Sequence, residues 1–123
     1  MKLTAFEFEK LIEEGLTLIP EEIRSRISNV QLVIEAEPSD ELLDELGVPP
    51  DETLFGLYTG VPLTERTVEY SALPDRIIIF RRPLLEEFDN PLEIRREVAR
   101  TVIHEGAHHF GIDEDRLAEL GWQ

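Results

Sequence analysis

The chain carries three histidines in 123 residues, and they fall at 104, 108 and 109 within the run TVIHEGAHHF. On a helical wheel of about 100° per residue, His104 and His108 lie roughly 40° apart, one turn along a single face. Two imidazoles at that spacing can converge on one divalent cation at about 2.0–2.1 Å. Glu105 lies about 100° round from His104, at the edge of the face. That is too far for a natural third ligand, but suitable for touching a water on the open side of the ion. Zinc lowers the pKa of such a water toward about 7, and a neighbouring carboxylate can take its proton and return it to a leaving amine. The chemistry suggested is hydrolysis of peptide bonds at one Zn2+ per chain, with Glu105 as general acid/base. His109 falls on the apolar arc of the same helix and is expected to make a buried or half-buried hydrogen bond rather than to bind metal.

A catalytic zinc ordinarily has three protein ligands and a water. Little sequence follows His108, so the third ligand is expected close by. Gly111 can take a positive φ and turn the chain out of the helix. Three residues further stands Glu114, which completes the pattern HExxHxxGxxE. An acid thus occupies the place where metzincins carry a third histidine. Glu114 is the favoured metal ligand and Asp113 the alternative, with Asp115 and Glu119 behind them. Asp113 also reads as the N-cap of a short terminal helix. Met1 is the only methionine, so the Met-turn of metzincins is missing. For the oxyanion formed on attack, Tyr58, Tyr70, Arg100 and Arg96 are candidates, though each also reads as ordinary packing or surface charge.

Several elements must position these groups. Asn90 as N-cap, Pro91 at N1 and Glu93 at N3, in the manner of a capping box, open a long helix ending near Phe110. Ile94, Val98, Ala99, Val102 and Phe110 form its apolar side. RIIIFR, 76–81, is a continuous apolar run and predicts a central strand. VQLVIEAE, 30–37, alternates as a strand does, and TLFGLYTG, 53–60, predicts another. Helices are expected over 4–16, capped by Thr4, over 20–28, over 38–47 with Ser39 as cap and Gly47 as stop, and in DEDRLAEL. RPLLEEFDN reads as a short helix or turn. Residues 61–75 read mostly as an extended loop, with a short strand near Val68 to Tyr70. The order of elements predicts an α+β fold with one small sheet, in one domain over 1–123.

HEGAHHFGIDEDRLAEL resembles the signature of the small bacterial zincin-like metallopeptidases, the minimal zincins. GLYTGVPLTERTVEYSALPDRIIIFRRPL and IPEEIRSRISNVQLVIEAEPSDELLDELG are similar to the segments that precede the motif in that family, so the resemblance spans nearly the whole chain. It implies a compact zincin-like core in which a small mixed sheet packs against the active-site helix carrying HExxH. It also implies zinc on His104 and His108, with Glu105 as the catalytic acid/base. The family often has aspartate at the third-ligand position, where this chain has Glu114.

Composition bounds the partners. With 27 acids against 12 bases the formal charge is −15, a surface that repels phosphate backbones and disfavours nucleic acid. Most of those acids read as a solvated coat. The acids interleaved in MKLTAFEFEKLIEEGL do not make a signal peptide, and no run approaches the roughly 20 apolar residues of a membrane span. With no cysteine there is no disulfide framework, which fits a cytoplasmic protein. No second domain is expected to wall the site, so it should be shallow. It would then take a peptide or protein substrate, or a partner that completes the cleft. The competing reading is a non-catalytic metal-binding module that acts through peptide or protein binding. A plain acidic interaction domain ranks below both, because it leaves the histidines unexplained.

Overall fold

The computed structural model describes residues 2–60 and 75–122. In chain order these form α1 (Ala5–Leu16), α2 (Glu21–Arg26), β1 (Gln31–Glu35), α3 (Asp40–Leu46) and β2 (Gly56–Thr59). They continue with β3 (Arg76–Phe80), α4 (Arg81–Glu87), α5 (Pro91–Phe110) and α6 (Glu114–Glu119). The strand expected near Val68 to Tyr70 lies outside the described residues.

Among the described residues the sheet has three strands in the order β1-β3-β2. β1 runs parallel to β3, with Val33 opposite Ile78, and β2 runs antiparallel to it, with Tyr58 opposite Ile77. The sheet is therefore mixed, and the apolar run 76–80 is its middle strand. Ile77 and Ile79, on one face of β3, are almost completely buried, as is Phe80 at its end, while Ile78 on the other face is half-buried. The fold class is α+β, as the pattern of elements predicts.

Helix ends follow their sequence signals. Thr4 and Glu7 form a two-way capping box on α1. Ser39 accepts from the Leu42 amide, and Gly47 ends α3 in the left-handed region at φ 68°. At α5, Asn90 accepts from the Leu92 amide at 2.8 Å, one residue earlier than the N3 amide used by a capping box. Pro20 precedes α2 as its N-cap instead of entering its first turn.

The core gathers around α5. Ile94, Val98, Ala99, Val102, Ile103 and Ala107 are buried. α1 packs chiefly on α5, adding Phe8, Leu11 and Ile12 to the same cluster. Each such aliphatic or aromatic side chain contributes about 1.5–3 kcal/mol when fully removed from water. β2 also packs on α5, and Gly56 permits that approach. A Cβ there would stand 2.5 Å from Thr101 Cγ2 and 2.9 Å from the Ile78 carbonyl oxygen. Among the described residues no helix is long and apolar enough to cross a membrane.

Candidate functional site

The packing of α5 leaves its last two turns with one side against the core and the other facing outward. Ile103, Gly106 and Ala107 are buried, His104 and Glu105 are half-buried, and His108 is exposed. Gly111, at φ 73°, then turns the chain, a conformation that costs a side-chain-bearing residue roughly 1–2 kcal/mol. The turn brings α6 back beside the histidines. His104, Glu105, His108, Asp113 and Glu114 consequently line one open cleft of about 790 Å³, floored by Ala107, Ile112 and Leu117.

Within the cleft the five polar residues have different surroundings. Asp113 caps α6, its Oδ1 accepting from the Arg116 amide at 2.8 Å. Glu114 sits exposed in the first turn of α6. The backbone N–H of Tyr58 on β2 donates to Glu105 Oε2 at 3.3 Å. Phe80 N–H donates to the Phe55 carbonyl across the β2–β3 pair. Antiparallel alternation then turns the Tyr58 amide away from β3, toward α5. The close approach allowed by Gly56 thus ends in a strand amide holding the carboxylate next to His104.

His104 is held from the other side. Its Nε2 lies 2.9 Å from the carbonyl oxygen of Trp122. Trp122 is largely buried. Its amide donates to the Leu117 carbonyl, and the Arg96 guanidinium lies 4.9 Å from its ring centroid. One turn before Arg100, and on the side of His104, burial pushes the Glu97 carboxyl above its ordinary range. The charges of Arg100 and then of His104 partly offset that rise.

His109, expected to be buried or half-buried, stands at the more open end of that range. Its side chain is 37% exposed, and its ring stacks on Tyr58 with centroids 4.1 Å apart. Tyr58 in turn donates its hydroxyl to Asp75 at 2.6 Å, and His109 Nε2 lies 3.6 Å from the same carboxylate oxygen. The Phe110 ring meets that of His109 edge-on, with centroids 5.1 Å apart. Of the oxyanion candidates, Tyr58 is engaged in this cluster, Arg100 pairs with Glu97 at 3.6 Å and Arg96 lies over Trp122. None of the three lines the cleft, and Tyr70 lies outside the described residues.

Sequence reasoning passed over two groups that shape the site. Arg116 holds α6 to α2 through a two-pronged contact with Glu22 and also reaches Glu119. These partners raise the Arg116 pKa, Glu22 foremost. Its position in the first turn after the Asp113 cap offers a weak signal of such a role. The Trp122 carbonyl offers none, since a backbone oxygen leaves no mark on residue type.

The donor chemistry suits zinc, since imidazole nitrogens and carboxylate oxygens are its ordinary ligands alongside thiolate. Both imidazoles line one cleft together with Asp113 and Glu114. Among the described residues, however, no three histidine, aspartate or glutamate side chains form a complete metal group.

The sequence model of the zincin-like metallopeptidase family matches residues 27–122, from the end of α2 through the cleft to Trp122. Among solved structures, a conserved hypothetical protein from T. thermophilus is similar, with a TM-score of 0.58 and 21% sequence identity. That match covers 94% of this chain and 98% of the other, and it supports the fold. No curated protein matches the sequence. With the family model spanning every element from β1 onward, the histidine helix included, the chain belongs to the zincin-like metallopeptidase family.

Proposed function

We propose that the protein is a zinc-dependent metallopeptidase that hydrolyses peptide bonds in its cleft. The observation that carries this reading is the meeting of His104, His108 and Glu105 from α5 with Asp113 and Glu114 in one cleft, in a chain of this family. His104 and His108 would hold one zinc ion. Glu114 is the favoured third ligand, because Asp113 already caps α6 through Oδ1. When bound, zinc supplies a Lewis acid and an acidified water.

The chain's own residues account for the proton. Glu105 is oriented by the Tyr58 amide at Oε2, which leaves Oε1 to accept a proton from the attacking water. The same carboxyl then delivers that proton to the departing amine. A cleft open on one side suits an extended peptide or a flexible protein segment, or a partner that completes the wall. The absence of cysteine supports a reducing, cytoplasmic setting.

A second reading, a metal-binding module without hydrolysis, is favoured by one feature. Tyr58, Arg96 and Arg100 are engaged elsewhere, and none of them lines the cleft. Metal analysis of protein purified without a histidine tag or added zinc should find one zinc per chain, released in acid as the imidazoles protonate. A peptide-library digest should then show cleavage by the native chain and a loss of roughly 100-fold or more in Glu105→Gln. Equal cleavage by both would remove Glu105 from the mechanism. Stoichiometric zinc without cleavage would establish the binding module.

A further inference from the structure

Two of the three histidines line the cleft and the third, His109, does not. Its contacts give it a different task. Glu105 and His109 are four residues apart on α5, one turn along the same side of the helix. Both meet a single residue of β2. Glu105 Oε2 accepts from the Tyr58 backbone N–H at 3.3 Å, and the His109 ring lies nearly parallel to the Tyr58 ring, with 18° between the planes and centroids 4.1 Å apart. We propose that His109 is a positioning residue for Glu105, whose ring clamps the Tyr58 side chain and so fixes where along α5 the Tyr58 amide sits. This rests on the reading of Glu105 as the general acid/base.

The clamp is closed at the far end of the tyrosine. Its hydroxyl donates to Asp75 Oδ2 at 2.6 Å, and His109 Nε2 lies 3.6 Å from that same oxygen. Asp75 is tied to the sheet in its turn, since its carbonyl accepts from the Gln31 N–H at 2.8 Å. The Phe110 ring meets Tyr58 edge-on, with centroids 6.3 Å apart. The amide itself has little hold of its own, because 3.3 Å is at the long end for an N–H···O bond. Residues along a strand are about 3.3 Å apart, and by antiparallel alternation the amides on either side of Tyr58 face β3. A small slip of β2 along α5 would therefore leave Glu105 without a donor. What the clamp needs from residue 109 is a flat ring, and neither ring nitrogen is essential to it.

The test is nuclear magnetic resonance of the intact, metal-free chain at one fixed pH, reading the chemical shift and hydrogen exchange of the Tyr58 amide. Glu105→Ala marks the position of the unbonded amide. His109→Ala should move the Tyr58 amide toward that position and speed its exchange by roughly 3- to 10-fold, the range that one stacked ring pair can supply. The amides of Val98 and Val102 in the core should stay as protected as in the native chain. His109→Phe keeps a ring and has no ring nitrogen, and it should restore both native readings. Should His109→Ala fail to fold, Tyr58→Leu tests the stack from its other side and must show the same faster exchange at residue 58. A native-like Tyr58 amide in His109→Ala, or a His109→Phe chain as perturbed as His109→Ala, would overturn the proposal. Where cleavage is measurable, His109→Ala should lower kcat with KM unchanged, and His109→Phe should recover it. A native chain that shows the clamp but cleaves no peptide would sink the acid/base reading of Glu105 and leave the Tyr58 clamp standing.

Discussion

The two sides of α5 differ in what holds them. On one, Ile94, Val98 and Ala99 are completely excluded from water and Val102 and Ala107 nearly so, packed by α1 and the sheet. On the other, His104 and Glu105 are half-open and His108 is exposed, with His104 hydrogen-bonded to the Trp122 carbonyl oxygen and Glu105 accepting from the Tyr58 amide. The apolar side supplies the free energy of folding, and the polar side uses the rigidity this creates. Chemistry can be placed on the polar side because little stability depends on it.

The sharpest way to break this division is to exchange losses between the sides. Ile94→Ala should destabilise the metal-free protein by about 2–5 kcal/mol, since it opens a cavity at a site with no exposure to water, whereas His108→Ala should change it by no more than about 0.5 kcal/mol. Denaturant unfolding monitored by circular dichroism would measure both, and a comparable loss from the histidine change would refute the division. Gly56→Ala probes the seam between the sides. Its new methyl would meet Thr101 and the Ile78 carbonyl, so a cost of about 1–3 kcal/mol is expected. β2 should also withdraw from α5, which would be read as faster hydrogen exchange at the Tyr58 amide. The smallest effect is expected at Glu97. Burial raises its folded-state pKa, so the native state holds a proton that the unfolded state releases. Its stabilising contribution is fully present below the unfolded-state pKa and is lost as pH rises through the folded value. Glu97→Gln should flatten the fall in stability just above the usual carboxylate range, in thermal melts taken across mildly acidic pH.

Much of the α5 surface was legible because a helix imposes its period on both of its functions. The spacing of Ile94, Val98, Ala99 and Val102 marked the buried side, and His104 and His108 marked the other. The unbroken apolar run Ile77 to Phe80 likewise marked a middle strand. At His109 the wheel gave the direction but not the depth, and the ring stands 37% exposed against Tyr58. The box expected from Glu93 is not formed as such, because the Asn90 side chain accepts from the Leu92 amide instead of the Glu93 amide. The return of α6 toward the histidines followed from Gly111 and the Asp113 cap. What the residue types could not reveal was carried by the main chain, namely the Tyr58 amide on Glu105 and the Trp122 oxygen on His104. Such contacts depend on where the backbone passes, and residue identity enters only through permissive positions such as Gly56.

The strand order has a consequence for how the molecule comes into being. β3 lies between β1 and β2, yet it is the last of the three to be synthesised. As the chain emerges from a ribosome, neither earlier strand can find its neighbour until residues 76–80 have been made, and α1 waits longer still for α5. The parallel pairing of β1 with β3 must also close a long loop before any contact rewards it, a topology associated with slow folding. The N-terminal half should therefore leave the ribosome without tertiary structure and fold only once the histidine helix has followed it out.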